Sequence, residues 1–325
     1  MTTTRFVTPP DQRRLPWLEL GTDVSGAFNA YDAMVTANLT GWDIRKLRQS
    51  ACEITEHGAV RVDNPDKVML VYTDPATHAV RYLSTVGDKY GIHQNEAVAN
   101  LIDALVADTG AAGCTSAGTL HGGRQVYVTM TLPHVTSLGG FDNVRFVIET
   151  STSHDGTAAF RVRLVPYRQI CTNGLHVSMD GFVNEVTIRH TSNSQIDVEA
   201  VRAKLPRLYE YAAEFENRAA RMLETRMSDT EFDDLITAVW HTDSAATGAR
   251  AEKNAQRRNE ALHWLWRSAD TQAGITGTRW GAFQAITEHL DHSARTRRAD
   301  DRATRVLTSS DLAKKKQKAF VLLTP

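Results

Sequence analysis

Between Arg124 and Asn173 three segments alternate apolar and polar residues with a period of two, which commits the middle of the chain to β-sheet. In the third segment Phe160, Val162 and Leu164 alternate with Arg161 and Arg163, and Tyr167-Arg168 follows just past Pro166. Successive side chains on a strand point to opposite faces, so the apolar set can seal a core while the arginines line the other side. In the segment before it, Arg145 interleaves Val144, Phe146 and Ile148, and in the first Tyr127, Thr129 and Thr131 stand opposite Val126, Val128 and Met130. The turns fit the same plan. His121-Gly122-Gly123-Arg124 supplies the glycines that a tight hairpin needs at positive φ, and His154-Asp155-Gly156 joins the second and third segments.

The flanks read differently. Residues 1–25 carry Pro9, Pro10 and Pro16 and are expected to form an irregular arm. Asn29–Ala37 reads as a short helix, and 42–83 as short extended pieces with turns at Asn64-Pro65-Asp66 and Asp74-Pro75. Asn95–Asp108 repeats its apolar residues at helical spacing and stops at Gly110. A further strand is expected within 181–190. From about Ile196 the texture is helical, with Leu208, Tyr211, Phe215, Met222 and Leu223 on one face, a capping sequence at Ser228–Glu231 and a loop at Thr242–Gly248. Helices resume through Ala261–Trp266, Gly281–His292 and Leu312–Leu323. The expected fold class is α+β: a central antiparallel β-sheet with hairpins, one face covered by helices, followed by a mainly helical C-terminal region. The expected division is an arm at 1–25, a core domain at 26–195, and a helical region at 196–325 packed on the core.

Composition excludes more than it assigns. Thirty-seven Lys and Arg stand against 38 Asp and Glu, so affinity for a polyanion has to come from local clustering, not from overall charge. The three cysteines, Cys52, Cys114 and Cys171, are scattered and odd in number. That argues against a disulfide framework and fits a reducing cytoplasm, while the absence of a CxxC pair argues against a cysteine zinc site. No apolar run approaches the roughly 20 residues of a membrane span, so no membrane association is expected.

Four places could carry chemistry. The polar strand face offers Arg145, Arg161, Arg163 and Arg168 with Tyr127 and Tyr167, and Arg124 at the hairpin turn. Cations along a backbone and aromatic planes for bases are what single-strand binding requires, although a solvated sheet face has the same composition. The C-terminal run 295–318 adds Arg298, Arg302 and Lys315 as further candidate contacts to phosphate. Glu288-His289-Leu290-Asp291-His292 gathers metal-ligand residue types on a helix but lacks the HExxH spacing of a zinc protease. Cys171 lies near His154 and His176 in sequence, as a thiol nucleophile would, yet a cysteine at a strand end is usually a small buried hydrophobe. No catalytic residue, metal ligand or cofactor is assigned.

Two stretches resemble a known family: Ser84–Tyr90 through Thr172-Asn173-Gly174, and Gly277-Thr278-Arg279-Trp280-Gly281-Ala282-Phe283-Gln284 through His292. Ala117–Leu120 with Gly123-Arg124, Ser153–Thr157, Arg168–Asn173, Arg189-His190-Thr191 and the Lys314–Leu323 helix fit as well. Over roughly residues 40–323 the chain is similar to phage/plasmid-like proteins grouped as a domain of unknown function, departing at Gly174, where such proteins have Thr after Asn. The resemblance implies a mobile element in a bacterial cytoplasm and carries no catalytic residues. By analogy of architecture, hairpins with one basic face backed by helices look like Rad-fifty-two-like annealing proteins. The expected function is therefore single-stranded DNA binding in annealing, recombination or replication, by a non-enzymatic protein that forms homo-oligomers. The alternatives are a metal-dependent nuclease or thiol hydrolase, and a host-interaction or anti-defence protein.

Overall fold

The computed structural model describes residues 13–191, 196–240, 248–294, 296 and 301–325. The described part of the arm holds a short helix, α1 (Pro16–Leu20), started by proline at its first turn, and a two-residue strand, β1 (Thr22–Asp23). Its described part is thus not irregular throughout, because Trp17 is large enough to anchor it and is 1% exposed. Helix α2 (Ala30–Thr36) is capped by Asn29, whose side chain accepts from the Asp32 N–H.

Three long strands follow, β2 (Arg45–Thr55), β3 (Gly58–Thr73) and β4 (Val80–Gly87), forming a separate antiparallel sheet in the order β2-β3-β4. Asn64-Pro65-Asp66 does not reverse the chain as expected. It lies in β3 where the register to β2 slips, between the Ser50–Asp63 and Arg48–Val68 pairs. A proline is tolerated in a strand at such an irregularity because no ladder hydrogen bond is required of it there. The hairpin tip is exposed, whereas Leu70, Leu83 and Val86 at the base enter the core and Trp42 stacks on Tyr72 at 4.5 Å. Helix α3 (Ala99–Thr109) ends at Gly110 in the left-handed conformation, φ +68°.

The main sheet is built from β5 (Ser116–Leu120), β6 (Gln125–Leu138), β7 (Asp142–Ser153), β8 (Phe160–Arg168), β9 (Asn173–Gly174) and β10 (Glu185–Ile188). Its order is β1-β5-β6-β7-β8-β10, all antiparallel, with β9 pairing the end of β8. The register settles which residues share a face: Tyr127 pairs Ser151, Thr129 pairs Glu149, and Glu149 pairs Arg163, which pairs Glu185.

Behind the sheet come α4 (Val198–Arg202), α5 (Leu205–Glu224), α6 (Asp229–Trp240), α7 (Ala249–Ser268), α8 (Arg279–Glu288), α9 (Asp301–Thr308) and α10 (Ser310–Leu323). Ser228 and Glu231 form the expected reciprocal cap of α6: the Ser228 N–H donates to the Glu231 carboxylate (2.7 Å), and the Glu231 N–H to the Ser228 hydroxyl (3.3 Å). The expected loop at 242–248 falls outside the described residues up to 247. The apolar sheet face meets α5 where Phe146 packs edge-on against Phe215, and Phe215 passes the contact to Trp280 of α8 and Phe320 of α10. One apolar core therefore runs from sheet to C-terminal helices, the α+β arrangement expected from the alternation. Among the described residues no helix is long and apolar enough to cross a membrane.

Candidate functional site

The other face of the main sheet is covered over only part of its width. Val147, Val165, Tyr127 and Tyr167 form a small apolar pad, and Trp17 of α1 seats on it, 4.4 Å from the Tyr167 ring in edge-on geometry. The Trp17 carbonyl accepts from the Tyr127 hydroxyl (2.9 Å) and from Ser116 Oγ (2.8 Å). This approach needs glycine at 118, because a Cβ there would lie 2.9 Å from the Gly21 Cα.

Beyond the pad the face stays open as a cleft of about 530 Å³ between the strands and the corner where α9 meets α10. Glu149, Arg161, Arg163 and His176 stand on its sheet side, Leu307 and the Thr308–Ser310 hydroxyls on its helix side. A volume of this order accommodates a small ligand or a nucleotide or two.

The charges in the cleft are unequally satisfied. Arg163 forks onto Glu185 through Nε (2.9 Å) and a terminal nitrogen (2.6 Å). Lys316 of α10 is buried and fully engaged, donating to the Gly174 carbonyl (2.7 Å) and to Asp291 (2.6 and 2.8 Å). Two groups are left over. Among the described residues Arg161 Nε has no acceptor and Glu149 Oε1 no donor, although both atoms are inaccessible to water. His176 Nε2 lies 4.0 Å from Glu149 Oε1 and 3.2 Å from the Tyr167 hydroxyl. Burial pushes the Glu149 carboxyl up to about 7, against the pull of Arg163 and Arg161. It drives His176 well below the usual imidazole range, helped by Lys316 and Arg163, so the ring is neutral at physiological pH.

Of the candidates, Tyr127, Arg161, Arg163 and Tyr167 are brought to this face. Arg161 and Arg163 face the cleft, but the two tyrosine rings are buried under Trp17 and offer no open stacking surface. Arg145 shares the face and is exposed, but lies on the far side of the apolar pad, cross-strand from Tyr167. Arg124 is exposed at the hairpin turn.

Arg168 belongs to the opposite face. Its guanidinium is buried against Asp142 (2.8 Å), which also accepts from the Trp280 indole (2.6 Å), and it donates to Cys171 Sγ at 3.6 Å. Arg302 donates to the His292 carbonyl from a half-buried position, Lys315 is buried and paired with Asp311 (2.8 Å), and Arg298 lies outside the described residues.

The other candidate residues are placed as follows. Burial pushes the Cys171 thiol up to about 12 despite Arg168, and no hydrogen bond joins it to His154 or His176. Glu288 is committed to Arg13 (2.8 Å) and Thr271 (2.7 Å), Asp291 to Lys316, and His289 packs edge-on against Trp240. Among the described residues no three His, Cys, Asp or Glu side chains converge as metal ligands would.

Glu149 and Trp17 are not singled out by the sequence, His176 is marked there only as a possible partner for Cys171, and Lys316 only as one cation of the C-terminal basic run. Glu149 was within reach, since it shares the parity of Arg145 on one strand. Trp17 arrives from far upstream with no local pattern to announce it, and the basic run that includes Lys316 does not show that this lysine turns inward to Asp291 and Gly174. No curated protein and no solved structure matches the chain. A family model does match residues 82–310, a span holding Glu149, both cleft arginines and α8, and the chain belongs to the family described as Domain of unknown function (DUF932).

Proposed function

We propose that the chain binds single-stranded nucleic acid, taking a short stretch of strand into the cleft beside β8. What carries the reading is the pairing of Arg161 and Arg163 on one open sheet face, with the Arg161 Nε unused by the protein. A guanidinium whose Nε has no acceptor among the described residues gains from a phosphate or a base edge brought beside it. The hydroxyls of Ser309 and Ser310 offer further donors across the gap, and a cavity of about 530 Å³ has room for a nucleotide or two of single strand and not for a duplex. Arg124 and Arg145, exposed to either side, extend a basic track beyond the cleft. A role in annealing, recombination or replication, a phage or plasmid setting, and assembly into oligomers belong to the same proposal.

The test is a fluorescence-anisotropy titration of a labelled oligonucleotide, single-stranded and duplex, at low and moderate salt. Binding of the single strand, falling with salt, is expected, with a loss of about tenfold or more in the Arg161→Ala, Arg163→Ala double variant. Equal binding by the double variant moves the site elsewhere, and no binding at low salt overturns the reading.

A further inference from the structure

We infer that the cleft reads a base, not only a phosphate, and that Glu149 with Arg161 forms a receptor for the Watson–Crick edge of guanine. This deepens the strand-binding proposal and rests on it for the setting, though not for the chemistry.

A site built for phosphate alone would not place a carboxylate beside its arginines, because an ionised Glu149 repels the ligand. Here Glu149 stands on β7 directly across from Arg163, and Arg161 lies on the diagonal from it, about 7 Å away on the same face. Neither Glu149 nor Arg161 pairs with the other within ion-pair distance, and each keeps an unmet hydrogen-bonding atom. A ligand that satisfies both atoms offers donors to a carboxylate and, next to them, an acceptor to a guanidinium.

Among the bases guanine matches best. Its N1–H and N2–H₂ present two parallel donors to a carboxylate, and O6 lies beside them as an acceptor for Arg161. Adenine and cytosine offer one amino donor with acceptors beside it, and thymine a single imino donor between two carbonyls.

The surroundings fit a flat, partly apolar ligand. Leu120 lines the cleft from the sheet and Leu307 from α9, so a ring entering edge-first finds aliphatic surface on both sides. His176 Nε2 lies 3.2 Å from the Tyr167 hydroxyl and 4.0 Å from Glu149 Oε1, too far to hydrogen-bond that oxygen. Lys316 is saturated by Asp291 and the Gly174 carbonyl, which leaves the recognition to Glu149 and Arg161.

The experiment has two arms at pH 8, using the full chain and Glu149→Gln, an isosteric change that replaces one acceptor by a donor. In the first arm, isothermal titration compares GMP with IMP, which lacks the N2 amino group, and with AMP and CMP. In the second, anisotropy compares oligo-dT strands carrying one central dG, dI, dA or dC. Guanine is expected to bind about five- to tenfold or more tighter than inosine in both arms, in keeping with a bidentate base contact, and Glu149→Gln is expected to level the series. Thermal melts confirm that the variant is folded. Equal affinity for all four strands and all four nucleotides overturns the base receptor while leaving strand binding intact. A GMP preference lost in Glu149→Gln, with no strand bound, upholds the receptor and overturns the strand-binding reading. No binding in either arm overturns both.

Discussion

Arg163 and Arg168 sit five positions apart on one strand, and that odd number puts them on opposite faces. Arg163 faces the cleft. Arg168 is in the core, where Asp142 neutralises it and the Trp280 indole fills out the carboxylate's hydrogen bonds. The alternation at Phe160–Leu164 was legible, and carrying the same count through Pro166 would have separated Arg168 from Tyr167. Which partners waited on each side was not legible, because Asp142, Glu185 and Trp280 are remote in sequence. Removing one partner of a buried pair leaves the other charge without solvent or counterion. Asp142→Ala should therefore cost about 3–5 kcal/mol of stability, read as a shift of the urea midpoint. An unchanged midpoint would show that Arg168 finds another partner. Glu149 gives the opposite sign. Its folded pKa, about 7, lies above its unfolded value, so the folded state gains protons and the contribution of Glu149 to stability is lost as pH rises through 7. The groups facing it are Arg161, Arg163, Tyr167 and His176, with Lys316 behind them. Glu149→Gln should melt higher than the parent at pH 8, with the gap closing by pH 5. A gap independent of pH would contradict this assignment.

The β2–β3 hairpin was the element least legible in the sequence. Short extended pieces with an Asn-Pro-Asp turn are locally reasonable, but pairing along its length overrides the turn signal and the irregular register absorbs Pro65. Its outer half buries little, with Ile54, Val60 and Val62 among its exposed apolar residues, whereas Leu70 and Val71 near its base are buried. Stability follows burial. Replacing 50–63 by a two-residue Asn-Gly turn should then leave far-ultraviolet circular dichroism and cooperative unfolding within about 1 kcal/mol of the parent. A collapse of cooperativity would mean that the outer half supports the core in a way its exposure does not indicate. Helices were read more successfully, because their apolar faces repeat locally and their ends carry caps such as Ser228 before α6 and Gly110 after α3.

Across the whole molecule, buried histidines tie together parts that sequence patterns treat separately. His154 bonds Asn95 (2.9 Å), while its carbonyl accepts from Ser84 of the hairpin sheet, and His190 stacks between Tyr90 and His93. Burial lowers His154, His190 and His289 to about 4 and His292 to about 3. The folded state thus binds fewer protons than the unfolded chain. The stability they contribute is complete above about pH 6.5 and is lost as pH falls toward 4, opposed by Glu149 between 4.5 and 7 and, from the acid side, by Asp291, whose carboxyl burial also raises. Urea midpoints at pH 7, 5.5 and 4.5 should fall in that order, and a midpoint that holds to pH 4.5 would show that the histidines protonate without cost.

The clasp between Arg13 and Glu288 joins residues 275 positions apart, and Lys316 holds Gly174 from 142 positions away. During synthesis from the amino terminus, Arg13 leaves the ribosome long before its carboxylate exists, and the strands carrying Glu149 and Arg161 emerge before α9 and α10 can wall them in. The cleft is therefore walled only once α9 and α10 have been made, and a nascent chain that has not yet reached them carries Arg161 and Arg163 on a sheet face with nothing opposite.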